Sequence, residues 1–281
     1  MIEKTKCSSE NLLLDSVEGL SAETAALEVT IASLKSDARH LWAVNKDDEY
    51  FRDNLFMLAK VDRAALAWTL NTRRVKTAEA NRKQSMLTGP FFACEEYPWP
   101  SYNGIPMASV VQLDLRVPSK LRQLPFGDGL LQVFIRPDAG SWEVRTIPRQ
   151  VVDTAALSKL PTFDENQFSS ASLEWASDSG EFDEMVALSK PVISSTVWMP
   201  DNMPDELLPL VERMNGYAGN TDGPPYLFGT FDLIQYCPSE RPPCLMCLCS
   251  DDNFNWGGDG SAQIFYEFSE KGTEFTFEWA C

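Results

Sequence analysis

The chain has 281 residues, 44% of them hydrophobic and 23% charged, proportions that suit a folded protein with a sizeable core and exclude a disordered one. Forty-one acids against 24 bases leave a formal charge of −17, a sign that repels nucleic acid and anionic membranes and attracts basic partners. No apolar run approaches the roughly 18 residues of a membrane span, and the polar opening "MIEKTKCSSE" has no leader-like apolar stretch. With an odd count of seven cysteines, the expectation is a cytoplasmic protein with reduced thiols.

Residues 1–62 read as a helical segment. In "SAETAALEVTIASLKSDARHLW", Ser21 stands where an N-cap is expected and Glu23 where a helix dipole favours an acid, and His40 follows the helical stretch. "DDEYFRDNLFMLAKVDRAAL" carries apolar residues near helical spacing. From residue 63 the character changes. "ALAWTLNTRRV" predicts a strand, and the basic run Arg73, Arg74, Lys76, Arg82 and Lys83 predicts a solvated face. "MASVVQLDL", "LLQVFIRP" and "SWEVRTI" are short β-type runs separated by turn signals such as "SYNG" and "GDG".

Residues 151–222 form an acidic insertion, with thirteen carboxylates against three bases. Inside it "MPDELLPLVERMNGY" predicts a helix, with Pro204 in its first turn and Gly216 at its exit. After Gly223 strands resume in "YLFGTFDLIQYC", "CLMCLCS", "SAQIFYEFS" and "TEFTFEWAC". The fold class is therefore α+β: mainly antiparallel sheets from two related strand units, with N-terminal helices and a helical acidic insertion.

The two units show as a repeat. "FGDGLLQVFI" from Phe126 returns as "GGDGSAQIFY" from Gly257. Gly89-Pro90, Val110-Val111-Gln112-Leu113 and Gln132-Val133-Phe134 match Gly223-Pro224, Leu233-Ile234-Gln235-Tyr236 and Gln263-Ile264-Phe265 in the same order. That order predicts an internal duplication over about residues 85–136 and 223–268, within a domain spanning 63–281.

These segments also carry a family resemblance. "SMLTGPFFACEEYPWPSYNGIPMASVVQLDL", "LPFGDGLLQVFI", "FGTFDLIQYC" and "CLMCLCSDDNFNWGGDGSAQIFY" form an ordered series that resembles the YwqG-like family, a bacterial domain of unknown function, over about residues 85–281. Thr88 departs from the glycine usual there, and Trp256-Gly257-Gly258-Asp259 carries an extra glycine. The resemblance implies packed sheets and no established reaction. It also implies an association, since small acidic proteins of such families occur beside bacterial secreted toxins such as type VI effectors.

Chemical signatures are few. His40 is the one histidine, and nothing in its surroundings predicts a nucleophile beside it. Cys237, Cys244, Cys247 and Cys249 lack the paired spacing of a zinc knuckle, and "CLMCLC" reads as a buried strand with Cys247 and Cys249 on one face. Asp251, Asp252 and Asp259 lack the alternating ligands of a calcium loop. The chain contains no phosphate-binding loop motif. No cofactor or metal is expected.

Two functional readings follow. The first is a non-catalytic immunity-type protein that blocks a basic secreted toxin, for example a nuclease effector, through Asp178, Glu181, Asp183, Glu184, Asp201, Asp205 and Glu206. The second is a small-molecule-binding protein or enzyme with a pocket between the strand units, near Trp99, Tyr102, Trp256 and Asp259.

Overall fold

The computed structural model describes residues 12–47, 55–136, 141–163, 180–194, 203–218, 225–229, 243–249 and 261–280. The fold is α+β, with helices at the front and antiparallel strands behind. Helix α1 (Leu12–Ser16) leads through a 3-10 turn (Glu18–Leu20) into the long α2 (Ser21–Asn45), and α3 (Leu55–Arg63) follows. Leu27, Ile31, Leu34 and Ala38 recur at three- and four-residue steps on α2 and are all buried, which lays one stripe of the helix on the core. Arg39 on α2 reaches Asp62 on α3 at 2.7 Å. Ser21 is not the cap. The preceding 3-10 turn continues the helical backbone, so Leu20 takes the cap position, without a side-chain bond, and Ser21 is the first helical residue. His40 lies exposed within α2, not beyond its end.

The strands are β1 (Leu66–Lys76), β2 (Met86–Leu87), β3 (Ser101–Tyr102), β4 (Ile105–Pro106), β5 (Ala108–Asp114), β6 (Leu130–Ile135), β7 (Trp142–Ile147), β8 (Glu181–Leu188), β9 (Val192–Ile193), β10 (Tyr226–Phe228), β11 (Cys244–Cys249), β12 (Ser261–Ser269) and β13 (Gly272–Ala280). Short helices α4 (Arg116–Arg122), α5 (Arg149–Thr154) and α6 (Leu208–Asn215) lie between them. Among the described residues the main sheet runs β13-β12-β11-β10-β1-β8-β2-β5-β6-β7, with β9 also beside β1 and β3-β4 a separate hairpin.

That order is symmetric about the β1–β8 pair. The chain passes from β1 to β2, yet β8 is the strand beside β2, and it passes from β8 to β10, yet β1 is the strand beside β10. One rung runs Met86–Gln112–Gln132–Arg145 across β2, β5, β6 and β7. Its counterpart runs Tyr226–Cys247–Gln263–Glu278 across β10 to β13. Gln132 and Gln263 thus hold equivalent places. The rungs put Cys247 in the place of Gln112 and Gly229 in the place of Gly89. Backbone shape agrees: Thr88 and Phe228 just before these glycines both have positive φ, 46° and 60°. A Cβ would crowd either glycine, 2.5 Å from Met86 Sδ at Gly89 and 2.6 Å from Ser194 Cβ at Gly229. Gln235 and Gly223 lie outside the described residues.

The two wings of the sheet pack on each other. Val111, Leu113, Leu131 and Val133 from one wing join Met246, Leu248, Ile264 and Phe277 from the other, together with Trp68 and the helices, in one core. At the far edges the rings of Trp142 and Phe277 meet with centroids 5.7 Å apart, and Phe126 stands 4.8 Å from Tyr266. The acidic middle is only partly helical: α5 and α6 are helices, but residues 181–188 form β8 at the centre of the sheet. Alternating burial alone does not mark this strand, because "EFDEMVAL" mixes buried acids with apolar residues. No described helix is long and apolar enough to cross a membrane.

Candidate functional site

Of the acidic residues singled out in the sequence, Asp178 and Asp201 lie outside the described residues. Asp205 and Glu206 are exposed in the turn before α6. The others lie on β8 and meet the basic run of β1 across the ladder: Lys76 opposite Glu181, Arg74 opposite Asp183, Arg73 opposite Glu184. Asp183 and Glu184 are buried, with Arg74 Nε 3.6 Å from Asp183 and Arg73 hydrogen-bonded to Glu184. The basic run is therefore no solvated loop. Two of its members pair with β8, and a third, Arg82, sits under the 90–94 segment and donates to the carbonyls of Pro90, Phe91 and Ser158 at 3.2, 2.9 and 2.7 Å. Burial lowers the Arg82 pKa from its ordinary value.

The rung with Gln112 and Gln132 carries the most developed polar cluster. Both side chains are fully buried on the sheet face covered by Phe91 and Phe92. The Phe92 N–H and Gln132 Nε2 donate to Gln112 Oε1 at 2.8 and 2.6 Å. Gln112 Nε2 donates to the carbonyls of Arg82 and Gln84, and Gln132 Nε2 also donates to that of Phe92. Arg145 donates from Nε to Gln132 Oε1 at 2.8 Å and from Nη1 to the Pro98 carbonyl at 2.7 Å. Burial lowers the Arg145 pKa, with Glu143 acting in the opposite direction. Every amide here satisfies a backbone group of the 82–98 segment, so the cluster fixes a loop and offers no nucleophile or base.

Trp99 belongs to the same arrangement. Its Nε1 donates to the Met107 carbonyl at 2.8 Å and its ring meets Phe134 at 5.2 Å and Phe163 at 6.0 Å. Tyr102 is exposed on β3, with the Arg136 guanidinium 3.9 Å above its ring. Trp256 and Asp259 lie outside the described residues, as do Cys237, Asp251 and Asp252. Cys244 and Cys247 are buried beside Tyr226 and Phe265. Burial pushes the Cys244 thiol up to about 12, and its Sγ–H donates to the Met246 carbonyl at 3.3 Å. Among the described residues no three His, Cys, Asp or Glu side chains gather as metal ligands.

Two features were missed in the sequence. The first is the acidic surface of the β12–β13 hairpin, whose strands the sequence did show: it exposes Glu267, Glu270, Glu274 and Glu278 and places Glu267 directly opposite Glu274. The signal was present in "YEFSEKGTEFTFE", where four glutamates fall within twelve residues around a Lys-Gly turn. Like charges directly opposite each other weaken a hairpin. The second is a cleft of about 400 Å³ between the start of α2, the end of α4 and β12, lined among others by Val17, Leu20, Thr24, Arg122 and Tyr266. Both wings of the sheet contribute to it, through residues 120–124 and Tyr266. Searches against known protein families and curated proteins find no match.

Proposed function

We propose that this chain is a non-catalytic, cytoplasmic binding protein of the immunity type, allied to the YwqG-like group. It covers a basic face of a secreted toxin, for example a nuclease effector, and blocks it sterically and electrostatically. The observation that carries this reading is how charge is distributed. Arg73, Arg74, Arg116, Arg122, Arg149 and Arg213 are drawn into ion pairs within the fold. The β12–β13 hairpin and the turn before α6 meanwhile hold carboxylates out to solvent. A basic partner would relieve the Glu267–Glu274 opposition, so binding would recover what the free hairpin loses. The working surface is therefore Glu267, Glu270, Glu274 and Glu278 with Asp205 and Glu206, while Asp183 and Glu184 serve the sheet.

The test is affinity capture of the toxin followed by association kinetics with the purified pair. Lysine at positions 267 and 274 is expected to slow association roughly tenfold at low salt and to flatten its salt dependence. An unchanged on-rate, or a partner whose contact face is neutral or acidic, refutes the proposal.

A further inference from the structure

We propose that the cleft between α2, α4 and β12 binds a small zwitterion with an apolar body, of the leucine, methionine or phenylalanine class of α-amino acids. This inference rests on the second reading of the sequence, a ligand site where the two strand units meet, and is independent of the toxin proposal.

Its size of about 400 Å³ lies in the range of small-molecule sites. Its charge is segregated by wall. The α2 wall carries Glu28, with Glu18 on the 3-10 turn just before it, and the facing end of α4 carries Lys120 and Arg122. Lys120 Nζ spans to Glu18 at 3.3 Å and Arg122 Nη1 to Glu28 at 3.1 Å. The two glutamates are 75% and 54% exposed, so these pairs are screened by water and exchange partners at small cost. Arg122 itself is held in place. Its guanidinium lies 5.6 Å from the Trp68 ring centre and 5.2 Å from that of Phe228. A planar guanidinium anchored in this way is preorganised to grip a carboxylate with two parallel bonds.

A simple anion at Arg122 would face Glu28, and a simple cation at Glu28 would face Arg122. A molecule bearing both charges satisfies both walls. Between them the lining is mixed: Ala25, Leu124 and the Tyr266 ring offer apolar surface over the buried Val17, Leu20 and Leu121, and Ser21, Thr24 and Gln123 add polar groups. The Tyr266 ring is fixed at the cleft by Phe126 at 4.8 Å and Phe268 at 5.3 Å. Its phenol is half-buried, with burial raising its pKa, and like any tyrosine hydroxyl it can donate a hydrogen bond at neutral pH.

The experiment is calorimetric titration and thermal shift of the full chain with L-leucine, L-methionine and L-phenylalanine. N-acetyl-L-phenylalanine, which lacks the ammonium, and phenethylamine, which lacks the carboxylate, serve as probes of each wall. At least one amino acid should bind with a sub-millimolar Kd and raise the Tm, and each truncated probe should bind at least roughly tenfold more weakly. Ala25→Phe, made at an exposed helical position on the cleft wall, should abolish binding. Glu28→Gln should weaken it roughly tenfold, and it carries the test if the phenylalanine variant does not fold. Absence of heat and Tm shift with all three amino acids at about 10 mM overturns the inference. So does N-acetyl-phenylalanine binding as tightly as phenylalanine, or binding that survives a folded Ala25→Phe variant. Toxin capture by that variant separates the two proposals, because filling the cleft leaves the acidic hairpin in place.

Discussion

Replacing Gln112 with leucine keeps its bulk and deletes its four hydrogen bonds. Gln132 keeps the Phe92 carbonyl as an acceptor, so it is not orphaned. The Phe92 N–H loses its bond to Gln112 Oε1, and the Arg82 and Gln84 carbonyls lose their bonds from Gln112 Nε2 at 3.0 and 2.6 Å. Gln112 is wholly enclosed, so water does not replace these bonds without opening the loop. Each orphaned buried group costs about 1 to 3 kcal/mol, which predicts a loss of about 3 to 9 kcal/mol. Against a typical stability of about 5 to 15 kcal/mol this is severe, and at about 2 to 4 °C per kcal/mol the Tm should fall by at least about 6 °C. Differential scanning calorimetry measures it directly. A Tm within about 2 °C of the parent would mean that the Phe91–Phe92 segment does not depend on this side chain, and the account of the glutamine rung would fail.

Gly129→Ala would set a Cβ 2.0 Å from the Ile147 carbonyl oxygen, forcing β6 and the end of β7 apart; a loss of about 2 to 3 kcal/mol is expected in urea unfolding. Asp114→Ala leaves Arg116 and the largely buried Arg149 facing each other across a fully buried site, and chemical denaturation should show a loss of about 3 kcal/mol. Glu274→Lys should stabilise the free protein by about 0.2 to 1 kcal/mol, read as a higher Tm, because it turns a cross-strand repulsion into an attraction. The Cys244 thiol, raised from 9.0 to about 12, holds its proton more tightly folded than unfolded. Its contribution to stability is whole below its ordinary pKa and is lost as pH rises toward 12. Iodoacetamide at about pH 8.5 should therefore leave Cys244 unlabelled until denaturant is added, as peptide mass spectrometry would show.

The strands β1, β5, β6, β11, β12 and β13 were legible because apolar, aromatic and β-branched runs between turn residues leave few alternatives. The turn "FGDG" was legible for a reason the structure sharpens: Gly127 has φ 97°, and Gly129 is pressed against β7. What was not legible depends on pairing across long separations. The acids of 181–184 look like a solvated surface until β1 brings arginines opposite them. Of the residues matched in the repeat, Gln132 and Gln263 stand on corresponding rungs, while the neighbouring strands hold Gln112 in one wing and Cys247 in the other. The cleft had no motif at all. It arises where a helix stripe, a helix end and one tyrosine from distant parts of the chain happen to face.

The exchange of β1 and β8 between the wings makes the molecule an interlock. Each wing finishes its sheet with a strand that the chain supplies from the opposite side of the symmetry, so neither has a complete core by itself. The N-terminal wing must wait for residues 181–188 before β2 has its inner neighbour, and the C-terminal wing needs residues 66–76, made far earlier. Assembly is consequently governed by the slow meeting of remote segments, and the two wings rise and fall in stability as one unit.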